Sequence, residues 1–221
     1  IFSKAGAFVC TIPGYQFHAD IFYADTLSRW GNKWCIVCRC EQSGWWFPLV
    51  WMARRSEAAR LFEHAVKRVR SKPAFQQWSH QIMVRLALVQ AGEWSHLNKE
   101  WGEVLTRLNI DCSWSTVNHN SAARAEVNML HFEVSMKSVM LTNSVPVEYY
   151  EECGEMGRIL RNLFPLSRNV RSKYGDTKRP LEEITNGYIS RIQCNKRIAN
   201  NQLIGVPALV PIHPKVKGSK L

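Results

Sequence analysis

The stretch Ile82–Val89, IMVRLALV, limits the possible folds more than any other part of the chain. Its side chains are almost continuously apolar, the pattern of a strand covered on both faces. An Ala91-Gly92 turn follows, and then residues 95–108 place Leu97, Trp101, Val104, Leu105 and Leu108 at helical spacing. A short strand begins at Asp111. A long helix is predicted from Ser121 to Met140, with Ala122, Ala123 and Ala125 lending propensity near its start. Val127, Leu130, Val134 and Val139 are expected to pack inward from it. Buried strand, turn, helix, strand and helix in this order point to an α/β fold.

The residues upstream supply more strands. Residues 1–14 read as an extended lead-in closed by the Pro13-Gly14 turn signal. Strands are predicted at 15–24, 33–41 and 45–53, joined by a polar turn with Gly31 and by Gln42-Ser43-Gly44, which favours antiparallel pairing. Ser56 is the expected N-cap of a helix over 57–71. Leu61, Phe62, Ala65, Val66 and Val69 form its inner stripe, and Arg60, Lys67, Arg68 and Arg70 are expected to face outward. Pro146 is expected to start a further helix that runs to Phe164.

Length and charge narrow the class. The 221 residues hold one generous domain with an extension. No apolar run approaches the ~18 residues of a membrane span. The net charge of +11 is uneven: residues 1–156 carry 16 Lys and Arg against 15 Asp and Glu, whereas 157–221 carry 13 against 3. A polycationic last third fits contact with phosphate backbones, where counterion release drives binding. The candidate contacts are Arg168, Arg171, Lys173, Lys178, Arg179, Arg191, Lys196, Arg197, Lys215, Lys217 and Lys220. Charge alone does not separate RNA from DNA.

Seven cysteines, an odd number, fit a reducing compartment. Cys35-x-x-Cys38-x-Cys40 invites a zinc reading, but no second ligand pair of suitable spacing accompanies it. Buried strand thiols are the expectation, with Cys38 and Cys40 on one face and Cys35 on the other. No metal site is expected.

Gln90-Ala91-Gly92-Glu93-Trp94 lies at the end of the apolar strand, and 35 residues separate Gln90 from Glu126. This stretch resembles the catalytic core of retroviral and retrotransposon integrases, a ribonuclease-H-like group. In that family a strand ends in Asp-Asn-Gly-x-Glu-Phe and a helical Glu follows 35 residues later. YQFHADIFY matches the family's first strand, with Asp20 at the position of its catalytic Asp, and GNKWCIVCRCEQSGWWFPLV matches the next two strands. RPLEEITNGYIS is similar to the helix that follows the core in long-terminal-repeat retrotransposon integrases. The resemblance implies a mixed five-stranded sheet flanked by helices over 15–164, followed by a basic extension over 165–221 with linker, helix and extended arm.

The resemblance also implies a site. Family members hold two divalent metals on three carboxylates for phosphodiester chemistry, and the matching positions here are Asp20, Gln90 and Glu126. A glutamine amide brings no charge to a site where Mg²⁺ seeks anionic oxygen. The family's helix also carries basic residues four and seven positions after its Glu, and Leu130 and Glu133 stand at those positions. The expectation is therefore a catalytically inactive, domesticated integrase-like domain with a vestigial triad and no cofactor. Its expected role is that of a structural, nucleic-acid-binding subunit of a large ribonucleoprotein. RNA is favoured over DNA, neighbouring proteins are the other partners, and no membrane is involved. A mitochondrial ribosome is the candidate assembly and the mitochondrion the expected compartment, with the nucleus as alternative. Ile1 in place of an initiator Met is compatible with transit-peptide removal and equally with a fragment. The rival readings are a two-metal polynucleotidyl transferase using Mg²⁺ and a DNA-binding regulator.

Overall fold

The computed structural model describes residues 12–75, 82–89, 98–115, 120–164 and 179–185, and the structural statements below concern those residues. The chain enters through a turn closed by Tyr15 N–H donating to the Ile12 carbonyl at 3.2 Å, with Gly14 at φ +81°. Strand β1 (Gln16–Tyr23) pairs antiparallel with β2 (Trp34–Cys40), Phe17 opposite Cys40 and Tyr23 opposite Trp34. Strand β3 (Val50–Met52) continues the antiparallel edge. On the other side β4 (Arg85–Val89) runs parallel to β1, and β5 (Asp111–Ser115) runs parallel to β4. The sheet order is β3-β2-β1-β4-β5, the mixed five-stranded sheet expected from the sequence. Leu86, Ala87 and Leu88 are all buried, as a strand between two parallel neighbours with both faces covered requires.

Helices cover both faces. Helices α1 (Ala58–Arg70) and α2 (Asn98–Arg107) lie on one, where Phe62, Val66, Trp101 and Val104 meet Phe17, Ala19, Ile21, Ile36, Cys38 and Cys40. The other face receives α3 (Asn120–Thr142) and α4 (Tyr150–Leu163), with Phe132, Met136, Tyr150 and Cys153 against Phe22, Cys35 and Val37. The three thiols thus divide between the two cores by strand alternation, as the sequence implied. Burial pushes the Cys38 thiol well above its ordinary range. Helix α5 (Pro180–Thr185) inserts Ile184 into the first core.

Close approach of α4 to its neighbours depends on two glycines. A Cβ at Gly154 would lie 3.1 Å from the Trp51 ring and 3.2 Å from Phe132, and one at Gly157 would lie 3.1 Å from Ser135 Cβ. A side chain at either position would push α4 off its seat.

Four expectations need correction. The third strand is shorter than 45–53, because Pro48 offers no N–H to the ladder. The chain makes only a bridge at Trp46, whose backbone N–H and carbonyl are satisfied by the Asn162 side-chain amide at 2.7 and 2.9 Å. Ser56 is not an N-cap. A 3-10 turn (Arg55–Glu57) precedes α1, and the Glu57 carboxylate accepts the Ala53 and Arg54 N–H groups at 3.2 and 3.0 Å. Arg70 does not face outward; it is half-buried and donates to the carbonyls of Ile82, Met83 and Leu108. On α3 the residues turned inward are Ala125, Phe132 and Met136, whereas Val127, Leu130 and Val134 are exposed by 48, 59 and 48%. Both sets recur at helical spacing, and the larger aromatic and thioether surfaces took the sheet side.

Candidate functional site

Strand β1 alternates cleanly. Its odd-numbered residues Phe17, Ala19 and Ile21 enter the α1-side core, so His18, Asp20 and Phe22 share the face covered by α3. Phe22 meets Phe132 of α3 edge-on at 5.3 Å. Asp20 stands between His18 and Phe22, half-buried, its carboxylate accepting the Ile21 N–H at 2.8 Å.

Charged groups share this face of the sheet. His18 Nε2 lies 3.3 Å from Glu41 Oε2, and the other Glu41 oxygen accepts from the Arg124 guanidinium of α3. Arg39, opposite His18 in the β1–β2 register, reaches the same helix and donates to Asn128 Oδ1 at 2.9 Å. It also lies 3.2 Å from His131 Nδ1, donates to the Gly44 carbonyl, and stacks over Trp46 at 5.3 Å. The N-terminal half of α3 is therefore fastened to the sheet by polar groups and its C-terminal half by apolar ones.

The electrostatics follow from this packing. Burial first, and the Arg124 guanidinium second, hold the His18 imidazole down at about 4. At neutral pH the ring is uncharged and donates Nε2–H to Glu41. Two guanidinium groups and one buried carboxylate thus lie on the sheet face to which Asp20 also belongs.

Glu126 is exposed, whereas the adjoining Ala125 is buried against the sheet. Gln90 lies outside the described residues. Among the described residues no group of three or more His, Cys, Asp or Glu side chains could hold a metal ion. Arg179 donates to Glu182 Oε1 at 2.9 Å beside α5, while its backbone N–H meets the other Glu182 oxygen at 2.8 Å. Arg168, Arg171, Lys173, Lys178, Arg191, Lys196, Arg197, Lys215, Lys217 and Lys220 lie outside the described residues. Also among the described residues, no helix is long and apolar enough to cross a membrane.

The sequence reading missed the polar clamp of His18, Arg39, Glu41, Arg124, Asn128 and His131. Arg124, Asn128 and His131 fall at i, i+4 and i+7 on one helical stripe, and Arg39 and Glu41 share a strand face. Those spacings were available. What they lacked was the β1–β2 register that sets both groups opposite each other.

The chain matches no protein-family model and no curated protein. Its fold is nevertheless that of retroviral integrase catalytic cores. Similarity extends to the simian T-cell lymphotropic virus intasome in complex with the PP2A regulatory subunit B56 gamma. There the identity is 15% and the TM-score 0.55, over 83% of this chain and 57% of that one. The dimeric form of the HTLV-2 integrase catalytic core domain in complex with magnesium gives 13% identity and a TM-score of 0.52, over 78% of this chain and 96% of that one. The BIV integrase catalytic core gives 10% and 0.50, over 78% and 95%. This chain thus spans just over half of the intasome chain and nearly all of the isolated cores. At these identities the likeness is one of fold.

Proposed function

We propose that this chain is a catalytically inactive integrase-like domain that serves as a structural, nucleic-acid-binding subunit of a large ribonucleoprotein. The observation that carries this reading is the clamp formed by Arg39 and Arg124 against Glu41 and His18, on the sheet face that holds Asp20. A two-metal site needs concentrated anionic oxygen. Here the position matching one carboxylate is Gln90, Glu126 is exposed, and the groups fixed on the Asp20 face include two guanidinium groups. With Gln90 in place of one carboxylate, the donor set does not fit Mg²⁺. The same guanidinium groups give α3 a metal-free attachment to the sheet, which suits a scaffold.

The polycationic residues 157–221 support nucleic-acid contact. RNA as the target, a mitochondrial ribosome as the assembly and the mitochondrion as the compartment belong to this proposal, as do protein neighbours. Gradient sedimentation of the native protein from gentle lysate, with and without ribonuclease, tests it. Migration with a large particle that collapses on ribonuclease treatment is the expected result. A small or chromatin-bound species indifferent to ribonuclease overturns it. Metal-dependent cleavage of a labelled duplex, abolished by Asp20→Ala, would overturn the inactive reading and establish the enzyme.

A further inference from the structure

The outward face of α3 is apolar in a specific pattern. Val127, Leu130, Val134 and Leu141 are exposed by 48, 59, 48 and 81%, on the longest described helix. Their spacing of three, four and seven residues is the narrow seam of a coiled coil, tighter than the broad stripe by which a helix settles on a sheet. Twenty-three residues give a rod about 34 Å long. Its back is fixed by Phe132, Met136 and the Arg39–Asn128 and Arg124–Glu41 pairs, so the seam is held rigidly before anything binds. Contiguous exposed apolar surface of this kind marks an interaction site.

The flanks decide the occupant. Glu126 and Glu133 border the seam, and the one exposed cation within it, Lys137, pairs with Glu133 at 2.9 Å. Phosphate backbones are repelled by such a border and gain nothing from valine and leucine. A second copy in antiparallel pairing would set Glu126 and Glu133 against the same acids. A helix with its own apolar seam and Lys or Arg alongside fits both features.

We propose that the Val127–Leu130–Val134–Leu141 face of α3 docks a basic-flanked amphipathic helix of a neighbouring protein. The inference rests on the reading of this chain as an assembly subunit and names the surface through which it meets a protein partner. The partner helix lies nearly along α3, its aliphatic side chains between those of the seam and its cations opposite Glu126 and Glu133.

The test places a photoreactive benzoylphenylalanine at Leu130 of the full chain in its native cells and sequences the cross-linked product. The supporting result is a cross-link to one segment of another protein with apolar residues at three-four spacing and flanking Lys or Arg. In addition, Leu130→Asp should lower the fraction of chain carried in that complex at least tenfold without altering the far-ultraviolet spectrum. Cross-links to RNA, to a second copy, to another segment of the same chain, or to nothing overturn the proposal. The two readings fail differently. A wild-type chain that sediments alone defeats the subunit reading, whereas one that enters the particle as well with Leu130→Asp as without it defeats only the α3 docking surface.

Discussion

The two faces of the sheet are built on different physics. The α1–α2 face is dry: Phe17, Phe47, Phe62 and Trp101 are fully buried, and Phe62 packs on Trp101 at 4.9 Å. On the α3 face an aromatic contact between Phe22 and Phe132 adjoins a charged cluster of His18, Arg39, Glu41 and Arg124. Non-directional burial holds the first face and can be rebuilt from many residues. Fixed partners hold the second, and each remaining charge is costly if one is removed. The first face therefore tolerates substitution more readily than the second.

The sharpest break of this comparison is expected on the dry side. Phe62→Ala removes a fully buried ring and should cost about 3–5 kcal/mol, read as a lowered urea midpoint with unchanged slope. The next largest effect belongs to the polar side and depends on pH. His18 titrates at about 4 when folded against 6.5 unfolded, so the unfolded chain binds the extra proton between these values. Stability is fully present above pH 6.5 and falls as pH drops toward 4, by about 3 kcal/mol in all. His18→Gln should flatten that slope while leaving the Phe62→Ala penalty unchanged; an unchanged slope would remove His18 from the account. Glu41→Gln takes a carboxylate from the clamp. Because Arg124 is 41% exposed and partly solvated, the expected loss is about 1–2 kcal/mol, reduced further by salt. The smallest effect should come from the outer face of α3. Leu130→Ala should change the stability of the isolated chain by no more than about 0.5 kcal/mol. A larger loss would mean that this side chain supports the fold itself.

Much of the fold was legible because the strongest signals were local. The run Ile82–Val89 announced β4, and the stripes of α1 and α2 named their buried residues. The 35-residue interval from Gln90 to Glu126 ordered the elements between them. The inner face of α3 was not legible, since its aliphatic and its aromatic-thioether residues both recur with helical period and only packing chooses between them. The site was half legible. Asp20 was placed on the correct strand, but the clamp around it joins β2 to α3 across more than 80 positions. Residue spacing within one element carries no trace of such a pairing.

Arg70 shows how one side chain can join segments far apart in sequence. Its guanidinium meets the carbonyls of Ile82 at 2.8 Å and Leu108 at 2.6 Å, with Met83 at 3.3 Å, in the bend where Met83 adopts φ +57°. Those carbonyls lie in the approach to β4 and just beyond α2, two segments that are not neighbours in sequence. Both accept from the last residue of α1, so the seat of that helix fixes the two segments relative to each other. The C-terminal end of α1, the approach to β4 and the end of α2 are thereby held together by one side chain. A lysine, with a single ammonium in place of the planar fork, could not reach all three carbonyls at once, and α1 would lose part of its hold on the other two segments.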